Sequence, residues 1–556
     1  MSPSILKPDT TNSYLNNSVV KAITDHYHNF CDFISQAEHF LKIGEIDAAA
    51  VFGQMAADYA FRNHPGFFVS PRLENLLTHI GRMTMERGAK FSDHFRANNS
   101  PKRILHILTQ AYELGGHTRL AWRWIERDKD HIHSVLLTRQ GERKVPKNLI
   151  NAVKASGGHI YRIDKQFGGL ISRAKTLRRL ANQNDIVVLH IHPYDVVPII
   201  GLSYREKYPA VCYMNHADHL FWLGVSISDV IAHIRQSSWQ LSIKRRKVEA
   251  KRCLMLPIPV NKTNRQLTRV VAKFQLGIAE DAIVLLSVAS GYKYNKIDDK
   301  IHFINAVRPI LEKCDKTILL VVGPSESDLH LDMSLKVYNR IKVYGPQKDI
   351  ELFYQAADIY LDSFPFASIT SLLEAGSFGV PIVSYCVHPE QAAVLCADDP
   401  GLIKSLVCTK DLESYRNIII KLIQDDSLRD RLGKQTENEI VEVHEILWPQ
   451  FLKSLYETVW LIEPPGNVID DVDEVHADEI DTRLVTLQKA TGKAWSKEMS
   501  VWNYYRLLPL WLRYQMRNQR HRKFPRWVPD WLISESLGKW LKKISSTVYF
   551  GRVVPI

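Results

Sequence analysis

The 556-residue chain has few cysteines, and none of them stand at a paired spacing. Cys31, Cys212, Cys253, Cys314, Cys386, Cys396 and Cys408 are scattered, with no CxxC. That excludes a zinc ribbon and a small disulfide-stapled fold, and it points to a reducing compartment. The first twenty residues, MSPSILKPDTTNSYLNNSVV, lack a basic stretch followed by an apolar one, so no targeting leader is read there. No uncharged apolar run reaches the roughly 20 residues that cross a bilayer. The nearest, 186–204, is interrupted by His190, His192, Asp195 and two prolines.

What is present is ordinary globular composition, with 45% apolar and 24% charged residues. A chain this long exceeds one hydrophobic core, and three or four folding units are expected. The net charge of +12 has an address. Residues 483–556 hold fifteen Lys/Arg against three acids, the whole net charge of the chain, and six of its twelve tryptophans. The body is therefore neutral in sum. A neutral body with a basic, Trp-rich end suggests an anionic membrane surface as partner, with packing of this end back on the body as ordinary helices the alternative. Nucleic acid is not read as a partner, because no RNA-binding signature accompanies the charge.

Along the chain, residues 1–98 read as helices. Ala37, Phe40 and Leu41, then Ala48, Val51, Phe52, Met55, Ala56 and Tyr59, recur at helical spacing, with Gly44 between the two runs. From Lys102 the texture changes to strand-like runs alternating with helical ones: RILHIL, HSVLLTR, HIYRI, DIVVLHIH, AVCYM, DVIAHI, LMLPIPV. After NKTNRQLTR the alternation restarts with AIVLLSVAS, KTILLVVG, RIKVYG, DIYLDSF and PIVSYC. This pattern predicts two successive α/β domains with parallel sheets, at 99–260 and 261–443. A helix at 444–462 follows, then an acidic segment with Pro and Gly at 463–482 that reads as a linker, then the tail at 483–556.

Chemistry is concentrated at a few loops. After RILHIL, Gly115 and Gly116 precede a helix opening at His117, although not in the GxGxxG pattern of dinucleotide sites. In the second domain Lys293 and Lys296 follow a strand, and Ser368 and Thr370 stand at the start of ITSLLEAGSFG. Hydroxyls and amides at a helix start, faced by lysines, suit a diphosphate. Two polar loops of the first domain, HIHPYD with His190, His192 and Asp195, and HADH with His216, Asp218 and His219, offer a general base. His190, His216 and Asp218 are the candidates for catalysis. No metal site is read, because no DxD stands in a suitable loop and DDVDE at 470–474 reads as solvated charge.

The segment YGPQKDIELFYQAADIYLDSFPFASITSLLEAGSFGVPIV resembles the donor half of GT-B glycosyltransferases of the family 4 or group 1 type. The resemblance spans about residues 100–460 and is strongest over 281–385. It implies two Rossmann-like domains facing a cleft; with the flanking readings, the expected fold class is α/β, with a helical N-terminal domain before these domains and a basic, mostly helical tail after them. It implies a nucleotide-diphosphate sugar as donor substrate and no further cofactor. Gly115–Gly116 match the family's glycine-rich loop, Lys293 and Lys296 its phosphate-binding residues, and Glu374 its acid before AxxxGxP. The helix at 444–456 matches the one that crosses back to the first domain. Many retaining members carry a second acid eight residues before Glu374, where this chain has Phe366. Cytoplasmic protein-glycosylating GT-B enzymes, which have helical N-terminal domains, also lack it.

The expected function is therefore sugar transfer to a membrane-linked glycan or lipid carrier at the cytoplasmic face of a membrane, as in bacterial surface polysaccharide synthesis. A cytosolic protein glycosyltransferase and a non-catalytic scaffold subunit are the alternatives.

Overall fold

The structure is a computed structural model. It describes residues 17–85, 102–113, 115–204, 209–260, 263, 265–295, 302–331, 336–464, 473–492 and 494–519. Met1–Ser500 form one compact unit and Val501–Ile556 a second.

The first unit opens with helices Asn17–Lys42 and Ile46–Arg62, joined through Gly44, and a third at Pro71–Thr84. Ile46–Arg62 is alanine-rich and is buried all round from Ala48 to Ala60, because small side chains admit neighbours on every face. Ser70 starts the third helix: its side chain accepts from Leu73 N at 3.1 Å, and Pro71 fills the first turn. Within that helix the buried Glu74 carboxylate accepts from the amides of Gly224, Val225 and Ser226 and from the Ser226 hydroxyl. Burial pushes its pKa up, and these donors oppose the rise. Glu74 thus fastens the helical region to the first α/β domain.

That domain holds β1 (Arg103–Leu108), β2 (Ile132–Leu137), β3 (Ile160–Arg162), β4 (Ile186–His190), β5 (Ala210–Asn215), β6 (Val230–His233) and β7 (Cys253–Met255). They form one parallel sheet in the order β3-β2-β1-β4-β5-β6-β7. The second domain holds β8 (Ile283–Val288), β9 (Thr317–Val322), β10 (Ile341–Tyr344), β11 (Ile359–Leu361), β12 (Ile382–Tyr385) and β13 (Val407–Thr409). Its order is β10-β9-β8-β11-β12-β13, again all parallel. The strands read as continuous apolar runs because helices cover both faces. In each sheet the strand order reverses beside the first strand, and ligands bind beyond the carboxyl ends at that point.

One apolar core runs through both domains, from Ile104, Val188 and Met214 to Leu286, Tyr360 and Leu373. The helix Trp448–Leu461 joins it through Trp448, Leu455 and Tyr456. Trp448 Nε1 donates to Pro257 O at 2.9 Å, and Tyr456 Oη accepts from Trp124 Nε1 at 2.8 Å. This helix therefore returns to the first domain.

Two readings need correction. The 463–482 segment is not a linker where it is described. Val475, Ala477 and Ile480 are buried, and a helix runs from Glu479 to Ala490 with an Asp478–Asp481 capping box. Asp481 is buried against His64 at 2.7 Å and Arg245 at 2.9 Å. Leu484 and Leu487 enter a cluster with Phe68, Leu241 and Leu395. Asp473 and Asp481 are buried, with Ser70 and His64 as partners about 400 residues away in sequence, which composition cannot show; Glu474 stays exposed, and 470–472 lie outside the described residues. The tail as drawn from 483 therefore begins inside a core helix. The second correction concerns cysteine: Cys386 and Cys396 form a disulfide, although they stand ten residues apart without a recognisable motif.

In the second unit, a helix at Leu510–Gln519 follows the turn Tyr505–Leu507, and Tyr505 Oη donates to Arg513 O at 2.9 Å. Trp502 meets Tyr505 with ring centroids 5.3 Å apart and the rings tilted by 40°. Residues 520–556, with eight of the fifteen tail cations and Trp527, Trp531 and Trp540, lie outside the described residues. Among the described residues, no helix is long and apolar enough to cross a membrane.

Candidate active site

The loop after β1 ends at Gly115, whose φ of +119° is a conformation that side chains resist. The helix Gly116–Arg127 begins there. A methyl group on Gly116 would stand 2.5 Å from Thr370 Oγ1, so the first domain's glycine loop lies against the second domain's helix start. That helix, Ile369–Ser377, follows β11 through a loop held by Asp362, which accepts from Ser368 N at 3.0 Å and from the Ser384 hydroxyl at 3.1 Å. Burial pushes the Asp362 carboxyl up to about 6, against the pull of these donors and of Lys293.

Lys293 comes from the loop after β8 and reaches the same place. Its Nζ donates to Ala367 O at 2.7 Å and sits 4.8 Å from the Phe366 ring. Phe366 in turn meets His219 of the first domain, with ring centroids 4.5 Å apart. The loop after β9 closes this side: a Cβ on Gly291 would meet Asp328 Oδ2 at 2.6 Å. Gly115, Gly116, Lys293, Ser368 and Thr370 are thus brought to one end of the two sheets. Lys296 lies outside the described residues.

Glu374, one helical turn below Thr370, points at the first domain. Its Oε1 accepts from Arg119 and, at 3.1 Å, from Arg123, both on the helix that Gly116 opens. Its Oε2 accepts from Tyr354 Oη at 3.3 Å. Neither arginine was picked out by sequence. Their i, i+4 spacing on GHTRLAWRWIER places both on one helix face, which is the signal that could have found them.

The three catalytic candidates separate. His216 faces the cleft side of His117, with rings 4.3 Å apart. Its Nδ1 lies 3.1 Å from Met214 O, which can only accept, so Nδ1 carries the proton and Nε2 keeps a lone pair. Burial, with His117 beside it, pushes its pKa down to about 3. The near-neutral base expected for this loop is thus replaced by a neutral, weaker one. Asp218 does not pair with His216. It receives Arg235 Nε at 2.6 Å and Nη2 at 2.9 Å, and Arg235 continues across to Val394 O and Cys396 O of the second domain. Burial would raise Asp218, but the guanidinium outweighs it and holds the carboxyl well below its usual range. Asp218 is thus part of a domain clasp. His190 is interior: its ring lies between His106 at 5.2 Å and Trp124 at 5.7 Å, with Nε2 3.0 Å from His106 Nδ1. Strand alternation turns it into the sheet, and only its carbonyl reaches the cleft, accepting from His117 Nε2 at 2.7 Å.

Residues 269–439 match the family model of glycosyl transferases group 1. A glycosyltransferase of Rickettsia africae superposes with a TM-score of 0.50 at 11% identity, covering 65% of this chain and 99% of that one. Residues 269–439 are thus a glycosyl transferases group 1 domain, and the chain has the two-domain GT-B fold. Anabaena Alr3699/HepE, solved with UDP, gives a TM-score of 0.49 at 14% identity over 64% of this chain and 100% of its own. The O-GlcNAc transferase of Thermobaculum terrenum gives 0.47 at 14% identity, over 79% and 84%. No curated protein matches the chain. In this chain the matched segment carries Lys293, Ser368, Thr370 and Glu374, while Gly115, Gly116 and His216 come from the domain before it.

Proposed function

We propose that this cleft transfers a sugar from a nucleoside-diphosphate sugar to a hydroxyl of a membrane-linked glycan or lipid carrier, with no further cofactor. The observation that carries the reading is the meeting of Lys293, the Ser368–Thr370 helix start and the Gly115–Gly116 loop at one point. A departing diphosphate there gains the lysine charge, the helix-start amides and a close backbone, all aimed where negative charge develops. Glu374 keeps one lone pair on Oε2 for the ribose or sugar hydroxyls, because the two arginines take Oε1 and Tyr354 occupies only one side of Oε2. Phe366 covers the sugar side where an acid is common, so the sugar is held by shape and by His219 more than by a carboxylate. If the transfer inverts, His216 Nε2 takes the acceptor proton; a retaining transfer needs no such base. The anomeric configuration of the product decides between them.

The membrane-linked acceptor rests on the basic, Trp-rich end of the sequence, and with it the assignment to the cytoplasmic face. The test is donor turnover with UDP-, GDP- and dTDP-sugars, with and without lipid-linked and soluble acceptors. Turnover on lipid-linked acceptors supports the reading. Equal turnover on a protein acceptor favours a protein glycosyltransferase, and no turnover of any donor favours a scaffold subunit.

A further inference from the structure

Far from the cleft, at the amino ends of the first sheet, three side chains converge between helix Gly116–Arg127 and β2. Asp128 stands just past the helix, His131 in the turn, and His133 on the strand. Their ligand atoms all lie within 4.8 Å of one another. Asp128 Oδ1 is 2.7 Å from His131 Nδ1, and Oδ2 is 3.2 Å from His133 Nε2. Tyr456 of the returning helix donates to Oδ2 at 2.7 Å.

His133 is fully buried, and its Nε2 makes no aligned hydrogen bond. Its other nitrogen, Nδ1, lies 2.9 Å from His106 Nε2, and His106 Nδ1 lies 3.0 Å from His190 Nε2. The row admits two proton arrangements. With each proton on Nε2, His190 donates to His106, His106 to His133, and His133 faces Asp128 Oδ2 at 3.2 Å in a contact that is not well aligned. With each proton on Nδ1 the row runs the other way, and His133 Nε2 presents a lone pair that a cation held with Asp128 would satisfy.

We propose that Asp128, His131 and His133 bind a divalent transition metal of the zinc type, where the sequence reading assigned none. The donors, two imidazoles and a carboxylate, suit zinc and its neighbours better than calcium or magnesium. Bonds of about 2.0–2.1 Å in a tetrahedron separate ligand atoms by about 3.3 Å, a value bracketed by the 2.7 and 3.2 Å contacts and the 4.8 Å limit of this cluster. His106 and Tyr456 act as the outer partners that fix a metal-binding imidazole and carboxylate in place. A water completes the set through His131, whose side chain retains 17% exposure. The metal ties the end of the helix bearing Arg119 and Arg123 to β2 and, through Tyr456, to the returning helix. Its role is structural, since no cleft residue reaches it directly.

The experiment uses the full chain, purified without chelator, and His131→Asn, which removes a partly exposed ligand without opening the core. Metal content is measured by plasma mass spectrometry, and melting is followed after EDTA treatment with added Zn²⁺ or Mg²⁺. The expected result is close to one zinc per wild-type chain and at least a tenfold lower occupancy in the variant. Zinc in hundredfold excess over Kd should raise the wild-type Tm by about 3 °C, and magnesium should not. Equal metal content in the two proteins, whether zero or one, would overturn the proposal. So would a zinc shift that persists in His131→Asn, because the metal would then sit elsewhere, for example on cysteine. Cobalt substitution gives an independent readout: tetrahedral absorption present in wild type and lost in the variant supports the site, and its absence from wild type counts against it.

Discussion

Gly116 and Thr370 belong to different domains, yet a single methyl group on Gly116 would come within 2.5 Å of the Thr370 hydroxyl. The two helix starts that frame the donor site therefore leave no room for a side chain between them. Gly116→Ala is predicted to lower the Tm through overpacking, by an energy of about 1–2 kcal/mol. Adding Thr370→Ala should recover part of the loss, because it removes the clashing oxygen. Melting curves of the two single variants and the double variant check this; additive losses would mean that the contact does not form.

Glu374→Gln tests the arginine cradle without ligand. Arg119 and Arg123 lose the carboxylate between them, in a place where Glu374 and Arg123 expose only 10% and 12% of their side chains. Breaking a largely buried pair costs on the order of 3 kcal/mol. The Tm of the unliganded protein should fall clearly. A Tm within error of wild type would leave Glu374 a ligand contact and nothing more.

Acid should destabilise the protein well above the pH at which ordinary exposed carboxylates titrate. Burial pushes His216 and His233 down to about 3 and His388 to about 4, and lowers His117 and His219 as well. The unfolded chain binds protons on these groups below about pH 6.5, and the folded chain does not. Their stabilisation is complete above pH 6.5 and is lost as pH falls toward 4, at about 1.4 kcal/mol per histidine per pH unit. Asp362 and Asp473, both raised to about 6 by burial, act in the opposite direction but are outnumbered. Melting at pH 5.0 should lie well below melting at pH 7.5; an equal or higher value would contradict the burial of these rings.

Truncation distinguishes body from tail. A chain ending at Thr482 cuts the helix Glu479–Ala490 and removes Leu484 and Leu487 from a core cluster, so it should be insoluble or melt far lower. A chain ending at Ser500 keeps the first unit intact and should stay folded. If the basic end binds membranes, this shorter chain should also lose binding to anionic liposomes, and full-length binding should weaken with salt. Retained binding in the shorter chain would move the membrane surface elsewhere.

The fold was legible because both of its signals are local. RILHIL, DIVVLHIH, AIVLLSVAS and KTILLVVG announce buried parallel strands without reference to anything distant. The glycine loop, Lys293 and the Ser368–Thr370 helix start were legible for the same reason, since strand ends and helix starts bring them together by topology. The relations that failed were those decided by partners far away in sequence. Asp218 sits two residues from His216 and reads as its partner, but Arg235, itself held by the 394–398 segment, claims it. His190 reads as a loop histidine, but it is the last residue of β4 and turns inward. Arg119 and Arg123 read as ordinary helix charges until Glu374 arrives from 251 residues on.

The central claim is that a nucleoside diphosphate binds where Lys293 meets the Ser368 helix start. The direct measurement is the thermal shift of the full chain with UDP, GDP and dTDP, compared with Lys293→Ala. The account predicts that at least one nucleotide raises the wild-type Tm, and that the variant binds it about 10- to 100-fold more weakly while its unliganded Tm stays near wild type, because a charge-assisted phosphate contact contributes about 1.5–3 kcal/mol. No shift with any of the three, or an equal shift in wild type and variant, would contradict it.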